Sequence, residues 1–186
     1  MEVPQRQIRA VYTERTITVY QAYPEAIAGP AVRAGRFVDP FKRERMTWIK
    51  PSFLWMMYRC GWATKPGQER VLAIEITREG FDWALARACL SHHDPAGGES
   101  REEWSRRLRT SPVRVQWDPE RSLQLKPLPY RSLQLGLSGE AVERYVEEWT
   151  VAIMDVTPMV REIAANRDPA KLPDERPYPG SYGSAG

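Results

Sequence analysis

The chain has 186 residues, of which 42% are hydrophobic and 27% are charged, and its formal charge is +3. This length and composition fit one folded domain, and they exclude two ordinary domains or a wholly disordered chain. The N-terminus is polar and no apolar run approaches the roughly 20 residues of a membrane span, so we expect a cytoplasmic protein that does not enter a membrane.

Strand and helix signals mingle along the first half of the chain without strict alternation. Apolar and polar residues alternate from Val71 to Thr77, as in a strand, and Pro24 and Gly35 mark the start and stop of a helix. Pro51 opens a second, nearly all-apolar helix. We predict a strand at 16–21, a helix at 24–34, a loop at 37–45, an extended piece at 46–49, a helix from 51 to near 61 and a strand at 70–77.

The second half of the chain continues the mixture. We predict a helix at 81–90, a loop at 91–100, a charged helix at 99–110, strands at 112–117 and 130–137, and helices that begin near 139 and at 157. Asp118-Pro119 predicts a turn after the first of these strands. Apolar residues at helical spacing, from Val142 to Ile153, predict that the helix from 139 continues through residue 156.

These elements predict an α+β fold, with a small, mostly antiparallel sheet and helices packed against it. We expect a single domain over residues 1–165. Residues 166–186 are rich in proline, glycine, serine and charge, which predicts a flexible C-terminal tail.

Charge is unevenly placed along the chain. Residues 36–70 hold eight basic and three acidic side chains, a net charge of +5, whereas residues 139–162 hold two basic and six acidic ones, a net charge of −4. A locally positive surface attracts phosphates and nucleic-acid backbones, so we expect an anionic partner. The alternative is that the basic residues pair with the acidic C-terminal helices.

Standard catalytic signatures are absent from the sequence. It has no glycine-rich phosphate loop, no GxSxG and no HExxH motif. His92 and His93 are adjacent in a predicted loop, and Cys60 and Cys89 lie far apart. We therefore expect exposed histidines, free buried thiols, a reducing compartment and no bound metal.

Aromatic and basic residues are densest in residues 41–65. Cations beside aromatic rings suit a nucleotide whose base stacks and whose phosphate is held, so Arg45, Lys50 and Arg59 are candidate phosphate ligands. Ser52 lies in the first turn of the predicted helix, where free backbone N–H groups favour an anion. The same pattern also fits a helix with an ordinary start that buries its rings and exposes its cations.

Two glutamines interrupt otherwise apolar predicted strands. Gln21 lies in the first strand and Gln134 in a late one. A buried amide is costly unless it is hydrogen-bonded, so each side chain either faces water or lines a cleft.

Several motifs together carry a family resemblance that covers about residues 8–160. They are VYQAY at 19–23, RMTWIKPSFLWMMYR at 45–59, GWATK at 61–65, QERVLAI at 68–74, VQWDPER at 115–121 and RSLQLGL at 131–137. The chain thus resembles the family called domain of unknown function 4291. No settled activity comes with that resemblance.

The segment TVYQAYPEAIAGPAVRAGRF, residues 18–37, also looks like the opening of ADP-ribosyltransferases. This second resemblance implies an ADP-ribosyltransferase-like fold and an NAD site, with Tyr20 and Gln21 in the strand motif, Ser52 at the helix near the nicotinamide and Gln134 on the late strand. Gln21 stands where His or Arg is usual, and Gln134 where Glu is usual. A glutamine does not stabilise a positively charged transition state as a carboxylate does.

Three functions remain open from the sequence. The first is an ADP-ribosyltransferase-type enzyme in which Arg45, Lys50 and Arg59 hold the phosphates of NAD or a related nucleotide, while Tyr20, Gln21, Ser52 and Gln134 surround the reacting ribose. The second is a non-catalytic RNA or single-stranded nucleic-acid binding protein, with Trp48 and Trp62 as stacking platforms. The third is a protein-interaction module that uses the acidic C-terminal helices.

Overall fold

Two small sheets form the centre of the computed structural model, which describes residues 2–180 and 182. The strands are β1 (Arg9–Ala10), β2 (Thr16–Tyr23), β3 (Thr47–Ile49), β4 (Arg70–Thr77), β5 (Ala88–Leu90), β6 (Val113–Arg121), β7 (Pro127–Leu137), β8 (Thr150–Asp155) and β9 (Arg176–Pro177). The helices are α1 (Glu25–Ala34), α2 (Phe53–Cys60), α3 (Arg78–Ala86), α4 (Arg101–Thr110), α5 (Glu140–Arg144) and α6 (Thr157–Asn166). None of the helices within the described residues has the length and apolar character needed to cross a membrane.

The two sheets differ in strand order and meet at one backbone contact. The first sheet has the order β2-β4-β8 and is antiparallel, and the second has the order β3-β7-β6-β5, in which β5 and β6 run parallel. The backbone N–H of Tyr20 donates to the carbonyl of Lys50 at 2.7 Å, which joins β2 to the end of β3. The predicted α+β class with small, mostly antiparallel sheets is therefore confirmed.

Apolar residues fill two regions on either side of the first sheet. The larger cluster joins the inner faces of both sheets to α1, α3 and α5. The smaller one packs α2 and α6 against the opposite face, around Met57, Val71 and Val160. Cys60 and Cys89 are both free and buried, as predicted.

The long helix predicted over residues 139–156 is wrong in its second half. The chain forms α5, then a π-helical turn over Tyr145–Trp149, and then β8. β8 pairs with β4, with Ile153 opposite Ile74. Ile153 follows Trp149 at helical spacing, but from Thr150 onward backbone pairing with β4 outweighs this pattern, since β-branched residues suit strands.

Two smaller predictions about boundaries also differ from the structure. The helix predicted at 81–90 begins earlier, because Thr77 caps the start of α3. It also ends earlier, because residues 88–90, which we predicted as its last turn, form β5 beside β6. The turn predicted at Asp118-Pro119 lies inside β6, which continues to Arg121 opposite β7. A proline is tolerated there because the strand pairing shifts register between Pro119 and Arg121.

The C-terminal segment, for which we predicted a flexible tail over 166–186, packs on the domain through its described part. β9 pairs with β1, and Tyr178 is buried with its hydroxyl donating to Asp82 at 2.7 Å. This aromatic anchor holds the segment because Tyr178 also packs edge-on against Phe81. Residues 181 and 183–186 of the predicted tail lie outside the described residues.

Gly80 is expected to be required in the first turn of α3. A Cβ atom added there would overlap with the indole ring of Trp149. We expect Gly80→Ala to lower the free energy of unfolding by about 1–3 kcal/mol, because a packed ring must move.

Gly29→Ala in α1 is the matched control for this prediction. Its added Cβ would meet only the side-chain ends of Glu25 and Arg33, which move easily. We expect a change of less than about 1 kcal/mol there, since alanine also favours the helix. Urea unfolding of both variants checks the contrast, and equal effects would contradict it.

Candidate functional site

A cleft of about 310 Å³ opens where β2, β3 and α2 come together. The residues that line it include Gln21, Trp48, Lys50, Met56, Arg59 and Gln68. Three of the predicted site residues, Gln21, Lys50 and Arg59, therefore share one cavity although 38 positions separate the first from the last.

Lys50 is the most unusual residue of the cleft, because its side chain is only 7% exposed. Its Nζ donates to the backbone carbonyl of Trp48 at 2.9 Å and lies 5.8 Å from the ring centre of Trp55. Among the described residues, no carboxylate lies within 4.0 Å of this amine. A buried lysine without a paired carboxylate is rare and typical of functional sites.

The surroundings of Lys50 lower its pKa to about 7. Burial is the largest cause, because it penalises the charged amine, and the positive charge of Arg59 acts in the same direction. The negative charge of Asp118 opposes the shift. Near neutral pH the amine is therefore a mixture of charged and neutral forms, and a bound anion would favour the charged form.

Gln21 forms the centre of a hydrogen-bond network beneath the cleft. Its Oε1 accepts from the buried hydroxyl of Tyr145 at 2.7 Å, and its Nε2 lies 2.8 Å from the hydroxyl of Thr47 and 3.1 Å from the carbonyl of Trp48. The Trp48 carbonyl thus accepts from both Gln21 and Lys50. This arrangement satisfies the Gln21 amide within the protein and fixes the backbone that carries Lys50.

Gln134 lies on β7 of the second sheet and does not line the cleft. β7 pairs with β3 as far as Ile49, which is opposite Leu135, the neighbour of Gln134 in the chain. The Nε2 of Gln134 donates to Asp118 at 2.8 Å, and Gln116 donates to the other oxygen of that carboxylate at 2.9 Å.

Ser52 faces away from this cleft and caps α2. Its hydroxyl accepts from the backbone N–H of Trp55 at 3.1 Å and donates to Glu120 at 2.8 Å. The first backbone N–H of the helix, that of Phe53, donates to Glu175 at 2.9 Å. The helix start that we predicted as an anion site is thus occupied by carboxyl groups of the protein itself.

Tyr20 and Arg45 also lie outside the cleft lining. The ring of Tyr20 is buried in the smaller apolar cluster, 5.5 Å from the ring of Phe53, because alternate residues of β2 point to opposite faces. Arg45 is exposed in the loop before β3. The structure therefore brings Gln21, Lys50 and Arg59 together in one cleft and leaves Tyr20, Ser52, Arg45 and Gln134 outside its lining.

Part of the basic segment pairs with acidic residues, in agreement with the alternative that we considered. Arg36 and Arg43 both pair with Glu147, at 2.7 Å and 2.6 Å, and Arg70 pairs with Glu25 at 3.0 Å. Within the described residues, the basic side chains of 36–70 that form no ion pair are Lys42, Arg45, Lys50, Arg59 and Lys65.

The aromatic rings of the segment serve mainly as core. Trp55 and Trp62 are each only 7% exposed, and the guanidinium of Arg167 covers Trp62 at 4.3 Å. Trp62 is therefore not available as a stacking platform. Trp48 is half-buried and lines the cleft, so it is the ring of this segment that a ligand could contact there.

Sequence patterns did not identify three acidic residues of this region as candidate site residues. Asp118 continues the alternation of Arg114 and Gln116 along β6, a signal that the predicted turn obscured. No sequence pattern marked Glu120 or Glu175 as a partner of α2, since their hydrogen bonds to Ser52 and Phe53 depend on how distant segments pack. Within the described residues, no three acidic, histidine or cysteine side chains form a group that could hold a metal.

Comparison with known proteins gives a family without an assigned activity. No curated protein sequence matches the chain. Residues 7–178 match the family described as domain of unknown function, DUF4291. Because this match spans nearly the whole chain, the protein belongs to the DUF4291 family.

Proposed function

We propose that the cleft around Lys50 binds the phosphates of a nucleotide, with NAD or a related ADP-ribose compound as the ligand. The observation that supports this most directly is the buried Lys50 amine, which faces a cavity beside Arg59 without a carboxylate partner. Two cations on one small cavity attract an anion, and the protein around the buried Lys50 screens its charge less than water does, whereas Arg59 is exposed. The half-buried ring of Trp48 offers an apolar surface beside them.

The reaction that we propose at this site is transfer of the ADP-ribosyl group. Cleavage of the nicotinamide–ribose bond develops positive charge on the ribose, and a nearby carboxylate stabilises that charge. Gln134 cannot do so, but Asp118 carries a negative charge whose effect reaches Lys50. We assign this role to Asp118, with Gln116 and Gln134 holding its carboxylate in place.

Replacement of the two cleft cations tests the ligand-binding part of this proposal. We expect Lys50→Met and Arg59→Ala each to weaken binding of ADP-ribose about tenfold, because each removes a charged hydrogen bond to phosphate of roughly 1.5 kcal/mol. Isothermal titration calorimetry at low salt measures the affinity.

Arg106→Ala is the matched control for the two cleft variants. Arg106 is an exposed cation on α4, which packs on β5 at the far edge of the second sheet. Its replacement should leave the affinity unchanged. Absence of binding by the wild-type protein at millimolar ADP-ribose and NAD would reject the proposal.

A second candidate function is binding of RNA or single-stranded nucleic acid. The observation that favours it is the group of exposed basic side chains near the cleft, Lys42, Arg45 and Lys65, that form no ion pair with the described residues. Affinity for an oligonucleotide would then fall steeply with salt and would be lowered by Arg45→Ala plus Lys65→Ala. These two replacements should not change the affinity for ADP-ribose, since neither residue lines the cleft.

A further inference from the structure

Two carboxyl groups meet at the N-terminus of α2, on the side that faces away from the cleft. Glu175, from the C-terminal segment, accepts a hydrogen bond from the backbone N–H of Phe53 at 2.9 Å. Glu120, from β6, accepts from the hydroxyl of Ser52 at 2.8 Å and from the backbone N–H of Arg121 at 2.9 Å. Glu120 is buried and Glu175 is half-buried.

The charges around Glu175 do not balance two ionised carboxyl groups. Arg9 of β1 is the basic side chain whose charge favours ionisation of both glutamates, and Glu120 opposes ionisation of Glu175. Tyr20 of β2 also feels the Glu175 charge, which adds to the effect of burial in raising the pKa of that phenol. Burial is the largest cause and raises the pKa of Glu175 to about 8, although the hydrogen bond from the backbone N–H of Phe53 favours the ionised form. Burial raises the pKa of Glu120 as well.

We propose that Glu175 is a proton-controlled clasp that holds the C-terminal segment, residues 168–178, on the first turn of α2. When its carboxyl group is protonated, it accepts from Phe53 without repelling Glu120, and the segment stays docked. When it ionises, the buried negative charge beside Glu120 is unfavourable, and the segment around Glu175 is released while Tyr178 remains anchored against Phe81.

The sign of the pH dependence follows from the raised pKa. A glutamate in an unfolded or undocked segment ionises near pH 4.5, whereas the docked Glu175 ionises near pH 8. The docked state is therefore most stable below the lower pKa, and its stability falls as pH rises through the interval to about 8. Because Ser52 and Phe53 lie two and three residues after Lys50 in the chain, release would also alter the start of α2 next to the cleft.

Hydrogen exchange tests the clasp without any ligand. After correction for the intrinsic pH dependence of exchange, protection of the amides of Phe53 and Glu175 is expected to fall at least tenfold between pH 6.5 and pH 9. The amide of Tyr178, which donates to Ile8 in the anchored part of the segment, should stay protected. Glu175→Gln, which keeps an acceptor and cannot ionise, should retain protection at pH 9. Asp174→Asn, which removes an exposed neighbouring charge, should behave like the wild-type protein.

A second variant keeps the test decisive if Glu175→Gln does not fold. Glu120→Gln removes the repelling charge and should leave the segment better protected at pH 9 than in the wild-type protein. Unchanged wild-type protection between the two pH values would overturn the proposal. It would also be overturned if Glu175→Gln or Glu120→Gln lost protection as the wild-type protein does.

Discussion

Replacing Gln21 with leucine is expected to lower the free energy of unfolding by about 2–4 kcal/mol, because it leaves the buried hydroxyl of Tyr145 without an acceptor. The hydroxyl of Thr47 loses one partner as well, although Tyr23 remains 3.1 Å away from it. The Trp48 carbonyl keeps its bond from Lys50. Urea unfolding followed by tryptophan fluorescence measures the change.

The double variant Gln21→Leu plus Tyr145→Phe distinguishes the cost of the unsatisfied Tyr145 hydroxyl from the cost of altered packing. Removing the orphaned hydroxyl should recover about 1–2 kcal/mol relative to Gln21→Leu alone, because no unsatisfied donor is left in the core. A loss below about 1 kcal/mol in the single variant would show that Gln21 does not support the fold and would return it to a purely chemical role in the cleft.

Affinity for ADP-ribose is expected to fall about sevenfold between pH 6 and pH 8.5, with Lys50 as the cause. The pKa of its amine is lowered to about 7 in the unliganded protein, so the amine is mostly charged at pH 6 and mostly neutral at pH 8.5. Phosphate should bind the neutral amine about tenfold more weakly, as expected for Lys50→Met, and the pyrophosphate of ADP-ribose stays ionised across this interval. Calorimetry in buffers of different ionisation enthalpy measures both the affinity and the proton taken up.

Lys50→Arg is the matched control, because a guanidinium remains charged at all these pH values. Its affinity should not depend on pH in this interval. The Glu175→Gln background removes any contribution from release of the C-terminal segment. An affinity that stays constant from pH 6 to pH 8.5 in the wild-type protein would rule out Lys50 as the phosphate ligand.

Hydrophobic periodicity and residue composition were sufficient to predict most of the secondary structure and part of the candidate site. Alternation in Arg70–Thr77 predicted β4, and the proline-to-glycine segment predicted α1. The rarity of a polar amide in an apolar strand singled out Gln21 but left open whether its side chain faces water or lines a cleft. The structure places it at the cleft, with hydrogen bonds to Thr47 and Tyr145.

The sequence by itself determined the α+β class, the basic character of residues 36–70 and the candidacy of Lys50, since these depend on residue type and local order. Only the tertiary structure decided that β8 is a strand, that the charge of Asp118 acts on Lys50 and that Glu175 occupies the start of α2. The physical reason is that edge pairing, burial of a charge and docking of a distant segment are set by residues far apart in the chain.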